Sequence, residues 1–126
     1  MSIYYDIKEH LIIKNTEEHD FSMGYSENIG FRAGICSSFN FYDLAQDYET
    51  KLRVHPFAYM DVALKNGLKL LPEQAIEEIK QMTDEVRCVG GEMISIWHNE
   101  SLSNKREWIG WRNVYEKMIE YSFNEK

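Results

Sequence analysis

The chain predicts an α/β domain, and three features carry that prediction. A helical segment with a clear start and stop, Leu71 to Val89, lies between two strand-like segments, "KLRVHPFAYMD" and "GGEMISIW". A second amphipathic segment closes the chain, so its late part runs strand, helix, strand, helix, the pattern of a parallel sheet with helices packed against it. At 126 residues the chain is shorter than the roughly 200 residues or more of a closed parallel barrel. The expectation is therefore one domain, residues 1–126, with a short, mainly parallel, open sheet and flanking helices.

Each element follows from local pattern. Ile3, Ile7 and Leu11 recur at four-residue steps, which predicts a short amphipathic helix over residues 3–13. "KNTEEHD" breaks that pattern, and His19 beside Asp20 reads as a polar turn. "DFSMGYSENIGFRAG", with glycines at 24, 30 and 34, reads as strand ends and tight turns. "SFNFYDL" alternates through Phe39 and Phe41 as a strand. Leu52 to Tyr59 is strongly strand-like, although Pro56 demotes it toward an edge or a bulge. Pro72 in the first turn with Glu73 behind it starts the central helix, Ala75, Ile76, Ile79, Met82, Val86 and Val89 share one face, and Gly90-Gly91 stops it. Glu92 to Trp97 alternates as the next strand, and the last helix buries Trp111, Val114, Tyr115, Met118 and either Tyr121 or Ser122. An open sheet of this size leaves a face or an edge uncovered, which predicts a homo-oligomer or another partner.

Composition narrows the function classes. Twenty-one acidic residues against 14 basic ones give a formal charge of -7, which argues against a nucleic-acid partner, since that requires a basic face. Aromatic content of 13%, with eight tyrosines and three tryptophans, fits either a core with aromatic edges or a carbohydrate-facing groove. The two cysteines, Cys36 in a Ser-rich loop and Cys88 near a helix end, are too few and too far apart for a disulfide framework or a zinc ribbon. They suit a reducing compartment. No apolar run approaches the roughly 20 residues of a membrane span, and "MSIYYDIKEH" lacks the pattern of a signal peptide. The chain is therefore expected to be cytoplasmic, with no membrane partner.

Three polar residues stand out at strand ends. Arg32, framed by glycines in "GFRAG", reads equally as a guanidinium orienting a carboxylate and as a tie to a loop carbonyl. Asp61, at the end of "HPFAYMD", reads either as the cap of the next helix or as the acceptor that fixes a histidine's tautomer. His98 follows a strand at its carboxyl end, where ligands bind in parallel α/β sheets. His55 alternates within its strand, and a surface or lining role suits it as well as chemistry does. The chain has no His-x-x-x-His pair for a metal, Ser37 and Ser38 lack the glycine elbow of a hydrolase, and Cys36 has no adjacent basic partner.

In order and spacing, "DFSMGYSENIGFRAG", "LRVHPFAYMD" and "EMISIWHNESL" resemble the later part of the NodB-type polysaccharide deacetylases, in the branch with a GFRAG and WHN signature. The resemblance spans roughly residues 20 to 115. It implies a distorted (β/α) barrel, here a partial one, and metal-dependent hydrolysis of N-acetyl groups on sugars. By that pattern Arg32 orients the catalytic base, Asp61 tethers a histidine, and His98 is the general acid for the leaving amine. Trp97 and Tyr25 would line the sugar groove. The family's early Asp-Asp and His-x-x-x-His motifs are absent from this chain. The chain thus resembles the C-terminal half of such an enzyme, inactive in isolation. Zinc or a similar divalent metal is expected only in a complete enzyme that includes an N-terminal half. The alternative is a non-catalytic remnant that binds an N-acetylated sugar or oligosaccharide.

Overall fold

Two short parallel strands set the frame: β4 (Tyr59–Met60) pairs with β5 (Ser95–Ile96) in the register Tyr59↔Ser95 and Met60↔Ile96. They belong to a computed structural model that describes residues 19–124 and is mixed α/β. The helix expected over residues 3–13 lies outside the described residues.

A second sheet has the order β1-β3-β2, from β1 (His19–Asp20), β2 (Phe39–Asp43) and β3 (Tyr48–Val54). β1 runs parallel to β3 and β2 antiparallel to it, so the sheet is mixed where a mainly parallel one was expected. The reason is the connection: the four residues between Asp43 and Tyr48 are enough to reverse the chain but too few for a parallel crossover. Asp43 shapes that turn, its Oδ1 accepting from the Ala45 and Gln46 amides at 2.9 and 3.1 Å. The described strands do not close into a barrel.

Residues 55–58 join the two sheets. The His55 amide donates to the Asp20 carbonyl at 2.8 Å and the Phe57 amide to Met23 at 3.0 Å, so one side of this segment continues the pairing with the chain after β1. On the other side the Ala58 amide donates to Ile94 at 2.7 Å. The previous donor on that side would be residue 56, and Pro56 has no N–H. The expected strand over Leu52 to Tyr59 is therefore interrupted at residues 55–58, which divide it between β3, central in its sheet, and β4, one strand of the two-stranded sheet. The expected strand over Glu92 to Trp97 is correspondingly reduced to Ser95–Ile96. The Glu92 amide turns away to the Cys36 carbonyl at 2.7 Å.

The helices obey the sequence more closely. α1 (Pro72–Cys88) starts with Pro72 in its first turn, and the Leu71 amide is satisfied by Gln74 Oε1 at 2.8 Å. It ends where Gly90 takes a positive φ of 66° and the Gly91 amide returns to the Val86 carbonyl. Ala75, Ile79, Met82 and Val86 are buried as expected, whereas Val89 falls past the helix end and is exposed. α2 (Trp111–Phe123) buries Trp111, Val114, Met118 and Ser122 and packs along α1. The Arg87 guanidinium donates to the Tyr121 and Ser122 carbonyls, both at 2.8 Å, and closes the end of α2. The core between the helices and β4–β5 holds Tyr59, Leu64, Ile79, Met93, Trp97, Val114 and Met118. On the other side, Phe21, Phe57, Ile94 and Ile96 form a smaller cluster. Cys36 and Cys88 are free thiols, and no described helix is long and apolar enough to cross a membrane.

A single wide helical turn, Ala63–Gly67, follows β4 and brings Gly67 against the Glu27 backbone. A Cβ on Gly67 would overlap the Glu27 carbonyl, and neither backbone can yield easily. Gly67→Ala should therefore cost about 1–3 kcal/mol, read as a lower urea midpoint with an unchanged m-value.

Candidate functional site

Asp61 lies just past β4 and His98 two residues past β5, so the register of the two parallel strands brings them to neighbouring carboxyl ends. Asp61 is 0% exposed. A carboxylate there must collect donors, because burying it unpaired is prohibitively costly. It collects four. Oδ1 accepts from the Val62 amide at 2.7 Å and from His98 Nδ1 at 2.7 Å. Oδ2 accepts from the His98 amide at 2.6 Å and from Ser101 Oγ at 2.6 Å. Two donors on each oxygen saturate the lone pairs of a carboxylate.

This arrangement fixes the imidazole. With Nδ1–H committed to Asp61, the proton on a neutral His98 ring is on Nδ1, and Nε2 is the nitrogen that exchanges a proton with a ligand. The His98 side chain is 43% exposed, so the ring meets solvent while its anchor does not. Chemically this is a positioned acid or base: Nε2 accepts a proton when the ring is neutral and donates one when it is protonated. Both sequence readings of Asp61 hold in part, since it satisfies the first amide of the following helical turn and also tethers the histidine.

Ser101 is the member of the site that sequence reasoning missed. It is fully buried on the turn Asn99–Leu102, with Oγ 2.6 Å from Asp61 Oδ2 and 2.7 Å from the His98 carbonyl. One hydroxyl proton serves both acceptors, so Ser101 ties the loop after β5 to the same carboxylate. The only sequence signal was a hydroxyl three residues after the histidine, a spacing that suits a local turn bond as well.

The other expected site residues are not joined to this pair. Arg32 is exposed, and no hydrogen bond or ion pair links its guanidinium to Asp61 or His98. Its neighbours Phe31 and Cys36 instead line a cavity of about 390 Å³ against Met82 and Val86 of α1. Tyr25 is 41% exposed, consistent with a surface role. Trp97, expected to line a groove, is corrected to a core residue: it is 0% exposed and meets Tyr59 and Tyr115 edge to face at 6.1 and 5.3 Å. Strand alternation explains this, since His98 turns toward solvent and its predecessor turns to the opposite face. Burial also raises the Tyr115 phenol above its ordinary value. Among the described residues, no three His, Cys, Asp or Glu side chains converge in a way that could hold a metal ion.

Comparison of the chain with family models, with curated proteins and with solved structures finds no match.

Removing the carboxylate strands four donors at once. Asp61→Ala should destabilise the fold by about 3–5 kcal/mol, whereas Ser101→Ala, which deletes one donor, should cost only about 1 kcal/mol. Urea denaturation at neutral pH measures both, and an Asp61→Ala midpoint equal to the wild type would contradict this account of the site.

Proposed function

We propose that this chain supplies the acid side of a polysaccharide deacetylase site, with His98 as the general acid and Asp61 as the residue that holds it. The observation that carries the proposal is the four-donor Asp61 anchor, which commits His98 Nδ1 and leaves Nε2 on a partly exposed ring. In amide hydrolysis the nitrogen must gain a proton as the C–N bond breaks. A doubly protonated His98 ring gives that proton from Nε2 while Nδ1–H stays on the carboxylate. The resemblance of "GFRAG", "HPFAYMD" and "ISIWHNES" to the deacetylases supplies the substrate class, an N-acetylated sugar. Tyr25 offers an exposed ring for a sugar face to stack on.

The proposal is confined to the acid. The described residues do not provide a donor set for the divalent metal of the family. In the same reading the described strands form an arc of a (β/α) barrel. Two features support it: α1 connects two adjacent parallel strands, and the polar pair sits at their carboxyl ends.

Titration of the chain with N-acetylated chito-oligosaccharide, followed by NMR of labelled histidine and tyrosine, tests the substrate class. The His98 Cε1–H and Tyr25 ring signals should shift, while Tyr42 and Tyr48 on the distant β2–β3 hairpin should not. No shift at His98 under saturating oligosaccharide would contradict the proposal. In a preparation that also contains the rest of the site, His98→Ala should lower acetate release by about 10²-fold or more.

A further inference from the structure

At the opposite end of the same strand path lies a second polar cluster that the proposed chemistry does not use. His55 is 7% exposed, and the six residue steps from it to Asp61 span roughly 20 Å if extended. His19 Nδ1 lies 2.6 Å from His55 Nε2, Ser38 Oγ lies 2.7 Å from His55 Nδ1, and the Ser38 hydroxyl donates to Glu92 Oε2 at 2.7 Å. Phe21 covers the His55 ring, with centroids 4.6 Å apart and planes 11° from parallel. Four chain segments meet here: β1, the loop before β2, the link after β3, and the approach to β5.

The hydrogen positions follow from counting. The Ser38 proton goes to Glu92, so Ser38 accepts from His55 Nδ1–H. That leaves His55 Nε2 as the acceptor for His19 Nδ1–H. The two facing nitrogens hold one proton between them. A first added proton can be accommodated on the other nitrogen of His19, Nε2, which leaves the bond from His19 Nδ1–H to His55 Nε2 in place. A second cannot, because both nitrogens would then carry hydrogen and both rings a positive charge at hydrogen-bond distance.

We propose that the His19–His55 pair is an acid-sensitive latch that holds β1 against the sheet and releases it when the pair takes up its second proton. The surroundings of His55 set the direction. Burial holds its imidazole below the ordinary value, and His19 and Arg53 act in the same sense, while Glu92 and Asp20 oppose them. A group whose folded value is depressed contributes stability above its unfolded value of about 6.5 and loses it as pH falls through the folded value. Acid therefore favours the open form.

The experiment is NMR on the full chain between neutral and mildly acidic pH, following the two imidazoles and amide hydrogen exchange corrected for its intrinsic rate. The imidazoles should titrate as one coupled pair in two steps. The His55 amide, which donates to the Asp20 carbonyl, should lose protection by about tenfold per pH unit in the second step, while the Thr83 amide in α1 keeps its own. His19→Asn keeps a neutral donor near the Nδ1 position and removes the second seat for charge, so its acid-dependent loss should disappear. Independent single-step titrations would overturn the latch, as would loss of His55 and Thr83 protection in parallel. An unchanged acid dependence in His19→Asn would overturn it too. The wild-type titration decides the matter even if the variant fails to fold.

Discussion

A carboxylate with no exposed surface has to be surrounded by donors, and at Asp61 that requirement organises both loops that leave the parallel strands. The donors come from the turn after β4, from the backbone and ring of His98, and from the hydroxyl of Ser101. Each donor offsets part of the desolvation cost of the anion. The loop after β5 therefore has one low-energy arrangement, and the exposed histidine inherits that rigidity. A flexible surface histidine would need to be ordered by its ligand; this one is ordered beforehand by a buried charge, the condition for efficient proton transfer.

The strand path from His55 to Asp61 is polar at both ends and apolar between. Phe57, Ala58 and Tyr59 are buried along it; Ala58 bonds to Ile94, and Tyr59 and Met60 pair with Ser95 and Ile96. Trp97 then seals the main core immediately before His98. This apolar stretch, roughly 20 Å long if extended, sets the two ionisable clusters apart. It also forces each cluster to satisfy its hydrogen bonds locally, which is why both are closed networks.

What the sequence revealed depended on how local the cause was. α1 was legible because Pro72 and Gly90 act within a turn of the positions they control. The β2–β3 hairpin was not legible as a unit, since its turn has neither glycine nor proline and relies on the Asp43 side chain, which reads equally as a strand residue. Pro56 was seen as a strand breaker, and the partner strand is short as well: the Glu92 amide pairs with Cys36, and β5 is confined to Ser95–Ile96. Asp61 and His98 were singled out from their places at strand ends, and the register joins them. Ser101, His19 and His55 depend on contacts across the fold, and no spacing along the chain encodes a partner 36 residues away. Trp97 was misjudged because aromatic content does not distinguish a core from a groove, whereas its place one residue before an outward-facing histidine does.

The central claim is that Asp61 holds the His98 ring with its proton on Nδ1. Nitrogen-15 NMR of the imidazole at neutral pH measures this directly. The account predicts an Nδ1–H tautomer whose proton is protected from exchange and is lost as a distinct signal in Asp61→Asn. A His98 ring that is predominantly Nε2–H, or that averages freely between tautomers in the wild-type chain, would contradict it.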